Sequence, residues 1–417
     1  MPGREPPEPS RGFETSAFVF ASDLADEGVD AVLDNVRHRG GLGGITAAFS
    51  YHAARDIFPH NPARKVHVLD RGELFYPPDE ALYDGLRIRP PVNALAATGV
   101  IEETCLKARE RGLQVHAWTT FFHTDWLDTH QDCVTRNAFG DPLPSDLCPA
   151  NPDARAYARA LAADLARHDV ASIMAESLHF HVLEHGYHHE RYFIDLGPKA
   201  RYLLGLCFCD HCLERAGTAG VDGERVRDAV RAELEQVFDR EKAVVQGEVD
   251  EELLAGIAAG QLDAYLSVRA DTVTTLTAEV AEIAAAAGTR FVFCDPSGAV
   301  KGYETGRPTG GPAAEISWRL GVDLRALGRV SHGFAVLAYA ADVDRVRLDL
   351  EAYERELSGL PVTVCLRPSP PDCESVDNLA AKLALARELG LTGVHFYHYG
   401  FLRLEALDMI RAAMERG

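Results

Sequence analysis

Eight short apolar runs, at residues 17–21, 44–49, 113–119, 170–175, 290–294, 333–338, 361–365 and 393–397, punctuate this chain. Each is too short for a helix and ends in polar, proline or glycine residues, so each reads as a buried strand. The segments 27–38, 99–111, 151–168, 224–242, 250–287 and 402–416 between and beyond them carry helical spacing, with a break expected near Gly260. Strand and helix in alternation build parallel βαβ units, and eight of them close on themselves. The expected fold is therefore α/β, a (β/α)8 TIM barrel with long βα loops after strands 2, 3 and 4.

A length of 417 residues is large for one domain, but barrels of this kind reach it with insertions. Residues 14–417 are expected to form a single barrel with an inserted helical excursion at about 177–250. Residues 1–13, rich in Pro and Glu, are expected to be a disordered leader. The net charge of −21 argues against nucleic acid, an anionic membrane surface or a highly anionic substrate, each of which calls for a basic face. No run approaches the roughly 18 apolar residues of a membrane span, and the N-terminus has no apolar signal core. A cytoplasmic protein is expected, and homo-oligomerisation is left open.

If the strand assignments hold, polar and aromatic groups converge on one face of the barrel. They are Asp23, Tyr51, His52, Trp118, His123, Glu176, His179, Asp295, Tyr339, Arg367, His395 and His398. Carboxyl groups beside aromatic rings suit a neutral, polyhydroxylated ligand: rings cover the apolar face of a sugar, and paired carboxyls supply the acid and the base or nucleophile of glycoside hydrolysis. Glu176, ending the fourth strand, is the first candidate acid. Asp295, directly after the fifth strand, and Glu374, in the loop after the seventh, are the candidates for the second carboxyl. Substrate contacts are expected from Tyr51, His52, Trp118, His123, His179, Tyr339, Arg367, Tyr397 and His398. His179, His181, His185, His188 and His189 crowd the fourth loop, but H-x-H in a loop is a weak metal signature. His395 reads as a core histidine.

Nine cysteines, an odd number, fit reduced thiols better than a disulfide framework. Three of them form the array Cys207-Phe-Cys209-Asp-His-Cys212. With Cys148, just before the third helix, they make four soft ligands for one tetrahedral Zn2+. Such a closed site is structural, because it leaves no open position.

A Glu at the end of strand four, a Cys-x-Cys-x-x-Cys soon after it and a Cys-Pro before a helix together resemble the family 42 β-galactosidases. Those are retaining (β/α)8 glycosidases in which such cysteines hold zinc. The phrases at 112–118 and 147–152 also resemble a broad set of bacterial glycosyl-hydrolase-like barrels. The likeness covers residues 14–216 closely and the later strands only as architecture. Two positions depart from the galactosidase pattern: Glu176 follows Ala175 where the family has Asn, and Arg367 stands where the family places its nucleophilic Glu. The resemblance implies a hydrolase of O-glycosyl bonds acting on a carbohydrate or glycoconjugate. A barrel that binds a sugar without hydrolysing it, or a lyase or isomerase using histidine bases, is the alternative.

Overall fold

The eight apolar runs become eight parallel strands closed into a barrel in the computed structural model, which describes residues 12–68, 71–183, 191, 193–239, 249–250, 254–300 and 305–417. The strands are β1 (Glu14–Val19), β2 (Gly44–Ser50), β3 (Gln114–Thr120), β4 (Ser172–Glu176), β5 (Arg290–Asp295), β6 (Gly333–Leu337), β7 (Val362–Leu366) and β8 (Gly393–Phe396). Each pairs with the next in sequence, and β8 returns to β1 with Ser16 level with His395. Strands covered by helices outside and by packed side chains inside have no solvent face, which is why the runs are rich in apolar residues on both faces. Residues 1–11, most of the expected leader, lie outside the described residues.

Register decides which side chains enter the barrel, since successive residues point to opposite faces. Ser16, His395, Thr46, His116, Ser172 and Arg290 share the inner face toward the N-terminal end. They form a polar floor. The Nδ1 of His395 is hydrogen-bonded to Ser16 and Thr46, each at 2.7 Å, and that of His116 to Ser172 at 2.8 Å. Glu14 lies 3.1 Å from His116 Nε2 and 3.2 Å from Arg290. Burial presses the His395 ring down to a pKa of about 3, so it is neutral at pH 7 and works as a core histidine. Above this floor Trp118 is level with Met174, and Met174 with Val292, and Glu176 stands two residues further up the same face of β4.

Helix starts follow their caps. The Asn151 side chain accepts from the backbone N–H groups of Asp153 and Ala154 to open Pro152–Leu165, and Asp342 and Ser375 open Val343–Glu356 and Val376–Glu388 in the same manner. The first helix differs from expectation. It begins at Ala21, immediately after β1, because the Asp23 carboxyl oxygen accepts the Phe20 N–H at 2.9 Å. Gly28, at φ 89°, then separates Ala21–Glu27 from Val29–Asp34. The helix expected over 250–287 runs only as Gln261–Ala286, preceded at Gly260 by a left-handed residue. Between β4 and β5 stand the helices Gly197–Leu204, Asp210–Thr218 and Gly223–Asp239. A hairpin within the loop after β3, Val134–Arg136 paired with Pro142–Leu147, carries Asp146 near its end and leads directly into Cys148.

Candidate active site and cysteine cluster

Glu176 ends β4 on the inner face, where its part-buried carboxylate meets the barrel's largest inward side chain. Trp118 Nε1–H donates to Glu176 Oε2 at 2.5 Å. Burial raises the Glu176 pKa above the ordinary value of 4.5, with the Trp118 bond and the charge of His123 working against that rise. A carboxyl shifted this way keeps its proton nearer neutral pH, as a general acid requires.

A continuous belt of rings surrounds this carboxyl. Trp118 lies 4.4 Å from Tyr51, Tyr51 4.2 Å from His52, His52 5.0 Å from His123, and His123 4.9 Å from His181, between ring centroids. On the other side Phe18 links Trp118 to Tyr397, whose ring is 5.7 Å from Tyr339. The guanidinium of Arg367 lies over Tyr339 at 4.7 Å. Solvent reaches this end of the barrel at His52, Glu176, Tyr397 and Arg367, each partly exposed. Tyr51, Trp118, His123, His179 and Tyr339 sit behind them, buried.

Several expected contacts are therefore placed differently. Trp118, 1% exposed, is a wall and hydrogen-bond donor and not an open platform for a ring. His398 is fully enclosed: its ring stacks 3.9 Å from Phe20 and its Nδ1 accepts the Gly400 N–H at 3.1 Å, so it supports the rim from behind. Arg367 is held by Asp372 through two bonds of 2.6 and 2.7 Å, which offset its charge. Both candidates for the second carboxyl stand elsewhere. Asp295 is fully buried; its Oδ1 accepts from the N–H and Oγ of Ser297, and its Oδ2 from Ser317 and Tyr353. Strand alternation explains this, since Cys294 takes the inner position and Asp295 turns outward to the helix layer. Glu374 is exposed and lines a groove of about 830 Å³ with Pro59, Phe401 and Met409.

Sequence reasoning missed Asp146. It faces His123 across an isolated antiparallel bridge, with Nδ1 to Oδ1 at 2.9 Å. Nothing in its local pattern, Pro-Ser-Asp-Leu-Cys, marks it; only the hairpin brings it to the barrel mouth. His185, His188 and His189 lie outside the described residues.

Beyond the hairpin the four expected cysteines converge. Cys148 Sγ is 3.5 Å from those of Cys209 and Cys212 and 3.8 Å from that of Cys207, and all four are buried. The backbone N–H of Arg136 points to Cys207 Sγ at 3.4 Å. Cys148 leads the loop before Pro152–Leu165, whereas the other three bracket the start of Asp210–Thr218, so the cluster ties two βα loops together.

No protein-family model and no curated protein sequence matches the chain. Solved structures do. The β-galactosidase of the Antarctic haloarchaeon Halorubrum lacusprofundi superposes with a TM-score of 0.56 at 14% identity, over 97% of this chain and 58% of that one. The β-galactosidase of the psychrophilic Marinomonas ef1 gives 0.54 at 12% identity, over 97% and 59%. What these structures share with this chain is the (β/α)8 barrel fold. The catalytic domain of the Paenibacillus polymyxa β-amylase, at a TM-score of 0.52 and 10% identity, covers 94% of both chains. This chain spans less than two-thirds of the length of either galactosidase, and identities this low carry the architecture alone. No helix among the described residues is long and apolar enough to cross a membrane.

Proposed function

We propose that this barrel acts on a glycosidic bond of a neutral carbohydrate or glycoconjugate, with Glu176 as its proton donor. One observation carries the reading: a part-buried carboxyl of raised pKa, pinned by Trp118 at the C-terminal end of an inner strand, where barrel enzymes keep their chemistry. Tyr397 and His52 offer partly open rings beside it, the arrangement a ligand with an apolar face and hydroxyls needs. The acidic chain, with Arg367 already neutralised by Asp372, favours a neutral ligand over a polyanion.

A specific observation favours a second reading. Asp295 is saturated on the outer face and Glu374 lies in a separate groove, whereas His123, backed by Asp146, flanks the acid. A sugar-binding barrel, or a lyase or isomerase with a histidine base, fits that geometry. A panel of chromogenic glycosides assayed with wild type and Glu176→Gln separates the two. Hydrolysis lost by about 10²–10⁴-fold in the variant supports the first. Sugar-induced thermal stabilisation without turnover supports the second, and neither response overturns both.

For the cysteine cluster we propose one structural Zn2+ held by Cys148, Cys207, Cys209 and Cys212. The fit rests on four buried sulfurs already close to the roughly 4 Å separations that Zn–S bonds near 2.3 Å impose. Such an ion supplies cross-linking and no chemistry. Nine cysteines without a disulfide suit a reducing compartment, which is the basis for proposing the cytoplasm.

A further inference from the structure

His123, Asp146 and His181 come from three different segments, yet each presents a ligand atom within 4.8 Å of the other two, and all three residues are buried. His123 follows β3, Asp146 ends the hairpin opposite it, and His181 belongs to the loop after β4. The His123–Asp146 bond of 2.9 Å is one edge of the triangle. The separation of 4.0 Å from His181 Nδ1 to Asp146 Oδ1 is a second. Ligand atoms around an ion bound at about 2.1 Å lie roughly 3–3.5 Å apart, so closing the triangle asks for side-chain rotations and no backbone movement.

A buried hydrogen-bonded network without an ion is the bland account of such a group. A second, independent feature speaks against it. The neighbouring His179, 1% exposed, uses its Nδ1–H on the Phe180 carbonyl at 2.8 Å. That bond fixes the tautomer and leaves Nε2 as a bare lone pair, buried and without a hydrogen-bond partner among the described residues. Its ring lies 4.8 Å from that of His181. An imidazole oriented through a backbone carbonyl, with the other nitrogen unspent, is how proteins prepare a metal ligand. A purely structural histidine in this position has reason to spend both nitrogens.

We propose that His123, Asp146 and His181 bind one divalent transition-metal ion beside Glu176, with the His179 imidazole adjacent to His181. Two imidazoles and a carboxylate suit Mn2+, Fe2+, Co2+ or Zn2+, and three protein ligands leave positions for water or a substrate hydroxyl. This is unlike the closed cysteine cluster. Metal binding here does not depend on the glycosidase reading. Any catalytic use of it does, since it presupposes a reaction at Glu176.

Mn2+ is the probe of choice, because the thiolate cluster disfavours so hard an ion. Titration of the full chain with its cysteine-bound zinc left in place, followed by calorimetry and electron paramagnetic resonance, is expected to show one Mn2+ per chain with imidazole nitrogen couplings. His181→Gln and Asp146→Asn are expected to weaken it at least about tenfold. The nitrogen couplings come from wild type, so the test survives a variant that misfolds. No Mn2+ bound to wild type, bound Mn2+ without nitrogen coupling, or undiminished binding in folded variants would each overturn the proposal. A protein that binds Mn2+ yet cleaves no glycoside leaves the metal site standing and removes only the glycosidase reading.

Discussion

Trp118 Nε1–H donates to Glu176 Oε2 across the inner wall of the barrel, from the third strand to the fourth. The indole therefore sets both where the carboxyl points and how readily it ionises. A hydrogen bond to the charged form lowers a carboxyl pKa, and burial raises it; here burial wins.

Replacing Trp118 with Phe removes the donor and keeps the ring. The Glu176 pKa is expected to rise further, moving the alkaline limb of any pH–rate profile that needs its proton to higher pH. Isotope-edited infrared titration of the carboxyl band reads the same shift without a substrate. A downward shift would contradict a Trp118 hydrogen bond that favours the ionised carboxyl.

Asp295→Asn separates a structural carboxylate from a catalytic one. The four donors converging on Asp295 cannot all be met by one amide oxygen, so stability is expected to fall by about 1–3 kcal/mol. Turnover by the folded fraction should stay near wild type. A loss of turnover as deep as that in Glu176→Gln, with the fold intact, would return Asp295 to the active site.

Asp23 supplies a pH signature of the whole fold. Fully buried, its carboxyl is raised from 3.8 to about 8 by desolvation, despite the bond from the Phe20 N–H. The folded protein then keeps a proton that the unfolded chain releases near pH 4. Stability from this group is complete below that pH and declines as pH rises toward 8, by about 1.4 kcal/mol per unit. Asp23→Asn should flatten the slope of stability against pH between about 4 and 8 by one proton's worth. Denaturant melts across that range measure it, and an unchanged slope would refute the shift.

Cys209→Ser tests the cysteine cluster. Elemental analysis is expected to show one fewer Zn2+ per chain than wild type, with a lower melting temperature, and a strong chelator should lower the wild-type melting temperature in the same direction. Zinc content unchanged by the substitution would exclude the cluster as its site.

The barrel, its strand order and the cysteine cluster were legible in the chain itself, because each depends on a periodic or spaced pattern. Apolar runs of strand length between amphipathic helices admit few other folds. The spacing of Cys207, Cys209 and Cys212 has little packing purpose, so it pointed to a ligand set, and Cys148 was found by its position before a helix. Glu176 was legible too, as the polar residue that ends a buried strand. What the pattern could not reveal was the direction of individual side chains near strand ends. There a one-residue difference in register exchanges the inside of the barrel for the outside. Cys294 took the inner place and sent Asp295 outward to Ser317 and Tyr353, and Trp118 became a buried donor to Glu176. Nor could it foresee Asp146 meeting His123. Those two are 23 residues apart in sequence, and only the turning back of a hairpin, a tertiary event with no periodic trace, sets one opposite the other.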